Sequence, residues 1–220
     1  MTPRRPMTPP EPTALHRARL SAVCAAVAEV LPPLGGRLLD LGCGDGAATL
    51  ALAALPGVVE VVALDPDRAA LARLVAQARA RPEGAVGAAA RIVPVAGSVL
   101  DAPAALAGRH AAVAVEVFEH LAPERLSVLE TVLFRRLRPG RVVLTTPDAD
   151  ANPALGVPTG RFRHPDHRFE WGAARFAAWA EGAAARGGYR VRVTGIGAPL
   201  AVSRLAVFDR DDVAEASRRP

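Results

Sequence analysis

Lysine is missing from this chain: all 27 basic residues are arginine, set against 22 acids for a formal net charge of +5. Arginine forks onto phosphate better than lysine does, so the pI near 10.7 suggests an anionic partner, with nucleic acid first. The competing account is that base composition replaced lysine with arginine on an ordinary mildly basic surface. Cysteine is scarce as well. Cys24 and Cys43 form neither a disulfide framework nor a metal pattern, which suits a reducing compartment, and a cytoplasmic protein is expected. No apolar run approaches the roughly 20 residues that span a bilayer. The mean hydropathy of +0.19 comes largely from alanine, so no membrane partner is expected. "MTPRRPMTPPEPT" has an arginine pair with no apolar segment directly behind it, and its prolines read as a disordered lead over 1–13.

A chain of 220 residues is long enough for one α/β domain with a sizeable core. From 14 to 31, apolar residues recur at helical spacing until Pro32 and Pro33, predicting a helix that covers the domain. Short apolar runs then alternate with alanine-rich helical stretches. "RLLDLG", "VVEVVALD", "ARIVPVAG", "HAAVAVE" and "RVVLTTP" read as strands, and "AATLALAAL", "DRAALARLVAQARA" and "PERLSVLETVLFRRL" as helices. That order predicts an α/β, Rossmann-like fold with a mostly parallel sheet and helices on both faces. A long Pro- and Gly-containing loop, "DADANPALGVPTGRFRHPDHRF", precedes a last helix and two strand candidates; a loop of that length is functional or disordered. We therefore expect one domain over 14–209 and a charged tail over 210–220.

"LLDLGCGDG" is a strand that runs into a glycine turn at a helix start, where Gly42, Gly44 and Gly46 allow a ligand close to the backbone. Glycine turns alone are common, but three neighbours sharpen this one. Asp40 precedes the turn, the next strand ends in Asp65, and Ser98 follows the third strand. An acid at the end of the second strand is where a ribose diol is gripped, whereas so many acids suit a pyrophosphate poorly. The pattern resembles the class I S-adenosylmethionine-dependent methyltransferases. That resemblance implies a cofactor site formed by Asp40, Gly42, Gly44, Asp65 and Ser98, with Asp65 on the ribose and Ser98 near the adenine.

"VAVEVFEHL" sets Glu116, Glu119 and His120 at the end of an apolar strand. On a helical turn, positions i, i+3 and i+4 share a face, so the three can converge on a metal; a solvated helix face is the plainer account. Downstream, "RHPDHRFEW" offers His164 or His167 as a fourth ligand. Two carboxylates and two imidazoles suit Mg2+ or Mn2+ with open positions, and the imidazoles tilt the choice towards Mn2+.

Together, "ExxEH" and "DHRFEW", joined by "RPGRVVLTTPDADAN" and followed by "TGIGAP", resemble the 3′-terminal small-RNA ribose 2′-O-methyltransferases over about Arg37 to Pro199. The resemblance implies metal ligation by Glu116, Glu119, His120 and His167, which are also the catalytic candidates, with His164 a neighbour and Phe169 and Trp171 packing the loop. It implies methyl transfer from S-adenosylmethionine to the 2′-OH of an RNA 3′ end, single-stranded or overhanging, with Mg2+ or Mn2+ as cofactor. An RNA-repair ligase or kinase is the implied partner, and the large N-terminal domain of the bacterial repair members is not expected here. The arginines at 135, 136, 138, 161, 163 and 168 are expected to flank the site and hold phosphates. The chain departs from the family at Asp148, where an asparagine is usual, and at Ala151, where an aromatic is usual; both departures bear on substrate contacts. Two other readings compete: a metal-independent class I methyltransferase acting on a small molecule or protein, and a non-catalytic protein that binds RNA ends.

Overall fold

The computed structural model describes residues 13–82 and 90–212. Most of the expected lead and of the charged tail, whose extents are 1–13 and 210–220, therefore lies outside the described residues. Among the described residues there are seven strands, β1 (Gly36–Leu41), β2 (Val58–Asp65), β3 (Arg91–Ala96), β4 (Ala111–Val115), β5 (Arg141–Pro147), β6 (Tyr189–Ile196) and β7 (Ser203–Arg210). They form one sheet in the order β3-β2-β1-β4-β5-β7-β6. β7 alone runs against its neighbours β5 and β6.

The side chains of β1 alternate between two cores. Leu39 and Leu41 face one with Val62, Ala112 and Leu144, while Leu38 faces the other with Val61, Val113 and Val143. Both faces of the central strands are thus buried, which is why these strands read as continuous apolar runs. The second core is covered by α1 (Ala14–Ala28) and α2 (Ala47–Ala53), and α3 (Arg68–Arg79) packs beside them. α4 (Leu126–Glu130) and α5 (Ala173–Gly187) cover the first.

Three elements differ from expectation. α1 ends at Ala28 rather than Leu31, because the residue before a proline is driven out of the helical region; at its other end Thr13 caps the His16 N–H. The single helix expected over 123–137 is divided into a 3-10 turn (Pro123–Arg125), α4 and a wider π-helical segment (Thr131–Leu137). The wider turn brings Val132, Leu133, Phe134 and Leu137 into the core, and it closes on Arg138 in the left-handed region ahead of Pro139. The long loop after β5 is pinched at its base, where the Ala149 N–H donates to the Trp171 carbonyl at 3.1 Å.

β1, β2 and β3 proceed in one direction across the sheet, and β4 and β5 in the other. The carboxyl ends of β1 and β4 therefore flank the crevice where an open α/β sheet binds its ligand. The glycine turn lies on one side of that crevice and "EVFEHL" on the other.

Candidate active site

The glycine turn is held by backbone geometry. Gly42, Gly44 and Gly46 all have positive φ, at 76°, 50° and 87°, which costs any residue with a Cβ about 1–2 kcal/mol. At Gly46 a Cβ would also run into Leu74, and at Gly42 it would come within 2.5 Å of the Val117 side chain. Gly44 differs, since a Cβ there meets nothing within 4 Å. Its N–H donates to Asp65 Oδ2 at 2.8 Å, and the Asp67 N–H donates to the other Asp65 oxygen, also at 2.8 Å. Asp65 is thus fixed at the end of β2 with lone pairs to spare. Asp40 lies beneath the turn, buried, and accepts the Thr49 hydroxyl through Oδ2 at 2.5 Å. Its Oδ1 has no hydrogen-bond partner among the described residues, and burial pushes the carboxyl up to about 6. Ser98 caps the turn after β3 by accepting the Leu100 N–H.

The acid and histidine cluster is built from side chains. β4 ends at Val115, and Glu116 takes a φ of +55°, a conformation uncommon outside glycine that is found at functional turns. Glu116 therefore does not share a helical turn with Glu119 and His120, contrary to the sequence expectation. The left-handed residue turns the chain, and a short 3-10 helix, Phe118–His120, carries the other two.

Glu119 is fully buried. Its Oε2 accepts the Thr146 hydroxyl at 3.0 Å, while Oε1 has no hydrogen-bond partner among the described residues. Burial, reinforced by the charge of Glu116, raises this carboxyl to about 8. His167 Nε2 stands 4.0 Å from that orphan oxygen, and the His120 ring is centred 4.8 Å from the His167 ring. Burial and then the neighbouring His167 hold His120 below the ordinary imidazole range.

Ligand atoms of Glu119, His120 and His167 all lie within 4.8 Å of one another, a grouping found among the described residues. An ion about 2.1 Å from each ligand would need only a small closing movement. The orphan buried oxygen and the mixed oxygen and nitrogen donors fit a divalent cation, so these residues suit the group the sequence implied.

Glu116 is not in that cluster. Arg19 of α1 pairs with its Oε2 at 3.0 Å, the Thr145 hydroxyl donates to its Oε1 at 3.1 Å, and burial raises its carboxyl above the usual range. His164 is exposed beside the cluster, its ring 5.6 Å from that of His167.

Packing explains how two distant motifs meet. Phe118, between the acids of the first, contacts Phe169 and Trp171 of the second with ring centroids 5.0 and 5.2 Å apart. Each such pair contributes roughly 0.5–1.5 kcal/mol beyond its buried area. The Arg168 N–H then donates to the Glu119 carbonyl at 2.8 Å. Phe169 and Trp171 are packing residues, as expected.

The arginines divide. Arg168 and Arg125 line a cavity of about 530 Å³ beside His120, together with Leu100, Leu121 and Pro123. Arg163 turns inward to Asn152 Oδ1 at 2.5 Å and to the backbone of Val202 and Asp148. Arg135, Arg136 and Arg138 close the segment that leads into the amino end of β5. They lie at the opposite end of the strands from the cluster, so they do not flank it as expected. Asp148 is buried and paired with Arg204, and Ala151 is buried too; both departures sit inside the loop base. Sequence reasoning passed over Arg19, Thr145, Thr146, Asn152 and Glu170. "TTP" and "FEW" lay inside quoted motifs, but nothing local marked Arg19.

This sheet order, with a glycine turn at its crevice, is that of a class I methyltransferase. A family model described as a methyltransferase domain matches residues 38–140. A "Small RNA 2'-O-methyltransferase" of Xenopus tropicalis is 38% identical over 122 residues, which is 52% of this chain and 33% of that protein. The crystal structure of the methyltransferase domain of bacterial-CtHen1-C superposes with a TM-score of 0.74 at 31% identity, over 89% of this chain and 98% of that one. The crystal structure of the small RNA methyltransferase HEN1 shares the fold, with a TM-score of 0.81 at 23% identity, over 96% of this chain and 27% of that one. The chain belongs to the small-RNA 2′-O-methyltransferase family, and it spans about a third of the length of the Xenopus relative.

Proposed function

We propose that this chain transfers a methyl group from S-adenosylmethionine to the 2′-OH of the 3′-terminal ribose of an RNA, with a divalent cation, Mg2+ or Mn2+, at the acid and histidine cluster. The single observation that carries the proposal is the unpartnered Glu119 Oε1, buried and 4.0 Å from His167 Nε2, in a chain of this family. A buried carboxylate oxygen left without a donor is costly unless something positive comes to it.

S-adenosylmethionine would lie against the open face of Gly44, its ribose diol on Asp65 and its adenine towards Ser98. Glu119, His120 and His167 would hold the cation, and Glu116, which pairs with Arg19 here, would be the further carboxylate available to it. When bound, the cation supplies Lewis acidity that lowers the pKa of a ribose hydroxyl beside it. The ribose proton leaves towards solvent on the exposed side of His120, because both ring nitrogens of His167 are committed in this reading. The substrate is an RNA strand ending in a free 2′,3′-diol, with Arg125 and Arg168 on its phosphates. A cytoplasmic setting and an RNA-repair ligase or kinase as partner belong to the same reading. One observation favours a metal-independent methyltransferase instead: Glu116 is already satisfied by Arg19 and Thr145.

Transfer of labelled methyl from S-adenosylmethionine to a short RNA in Mn2+ tests this, beside RNAs ending in 2′-deoxy, 3′-deoxy or 3′-phosphate and a chelator control. Methylation of the diol-ended RNA alone, abolished by chelator and lowered at least 100-fold by His167→Ala, is expected. Transfer that survives the chelator would favour the metal-independent reading, and cofactor binding without transfer to any RNA would sink the proposal.

A further inference from the structure

His167 has a buried carboxylate partner behind it, Glu170. Its Nδ1 lies 2.5 Å from Glu170 Oε1, and the two side chains are 8% and 1% exposed. That carboxylate is itself pinned. Its Oε1 also accepts the Arg163 N–H at 2.7 Å, and its Oε2 accepts the Asn152 amide at 2.7 Å. The Asn152 amide cannot turn over, because its oxygen already accepts Arg163 Nε at 2.5 Å. Glu170 thus receives obligatory donors on both oxygens, and a hydrogen on His167 Nδ1 completes the set.

We infer that Glu170 is a positioning residue: it fixes His167 as the Nδ1–H tautomer, so that the Nε2 lone pair faces Glu119 Oε1 across the cluster. The inference rests on the metal-dependent reading above. A histidine that ligates metal through one nitrogen characteristically donates the other N–H to a carboxylate, which sets its tautomer and ring angle. Trp171, next in the chain, is locked in the aromatic cluster, so Glu170 enters the site from a rigid base. A glutamine of the same size cannot replace it. One amide oxygen would face the hydrogens of His167 and Arg163, and the amide nitrogen would meet that of Asn152.

The test uses the full chain, free of metal, with ¹⁵N-labelled histidine. Ring NMR should show His167 as a single Nδ1–H tautomer, and calorimetry should show Mn2+ binding. Glu170→Gln, checked by its melting temperature, should mix the tautomers and weaken Mn2+ binding about 10–100-fold, with Glu170→Asp between the two. An Nε2–H tautomer in the unaltered chain, or a tautomer and Mn2+ affinity both unmoved by Glu170→Gln, overturns the inference. If the tautomer responds to Glu170→Gln while the unaltered chain never binds Mn2+, the metal-dependent reading falls and the role of Glu170 in setting the ring stands.

Discussion

The two sides of the crevice are built by different means. On the β1 side the site is backbone: three glycines in the left-handed region, with Asp65 tied to the Gly44 and Asp67 N–H groups. On the β4 side it is side chains: Glu119 and His120 from one 3-10 helix and His167 from a distant loop, held by aromatic packing and buried hydrogen bonds. A backbone site depends on what the chain can adopt locally, whereas a side-chain site depends on whether the surrounding core keeps its parts in register. Gly42 joins the two, since only a residue without a Cβ lets the turn close on Val117.

The largest effect that separates the two sides should come from Phe118→Ala. Its ring lies among Phe169, Trp171, Phe176 and Trp179, so truncation should cost about 3–5 kcal/mol. Mn2+ binding should be lost well before cofactor binding. Urea unfolding together with calorimetry for both ligands checks this, and equal loss of both would mean that the sides are not separately built.

Within the glycine turn the contrast is finer. Gly46→Ala should cost about 2–4 kcal/mol, adding a clash with Leu74 to the backbone penalty. Gly44→Ala should cost only the backbone share, about 1–2 kcal/mol, yet weaken S-adenosylmethionine binding more than its stability loss explains. Parallel melting and cofactor titration separate the two, and a Gly44→Ala chain with normal cofactor affinity would move the ligand away from that face.

The smallest effect is a pH dependence. Asp40 is raised from 3.8 to about 6 by burial, so the folded chain holds its proton where the unfolded chain has lost it. Stability from this group is fully present below about pH 4 and is lost as pH rises through about 6. Asp40→Asn should flatten that slope in the cofactor-free chain. Unfolding at pH 4 and pH 7 tests the sign, and an unchanged slope would place the charge of Asp40 elsewhere.

Much of the fold was legible because apolar periodicity and turn residues act over a few positions. "VVEVVALD" and "RVVLTTP" coincide with β2 and β5, and the order of strands and helices predicted the parallel sheet. The π-helical segment at 131–137 was not legible, since its turns answer to the core packed around Phe134. At the site, the fold brings "ExxEH" and "DHRFEW" together, but the helical-turn argument gave Glu116 the wrong geometry. Its positive φ follows from where β4 ends and what the chain must cross.

By itself, the sequence determined an α/β chain with a glycine turn after its first strand, an acid after its second, and two motifs rich in carboxylate and imidazole. These follow from local sterics and spacing, which any short segment carries with it. Only the tertiary structure decided that Arg19 takes Glu116, that Arg135, Arg136 and Arg138 lie far from the cluster, and that Glu170 stands behind His167. Those outcomes depend on which side chains the packed sheet, helices and loop bring within hydrogen-bonding distance, and burial sets the cost of leaving any of them unpaired.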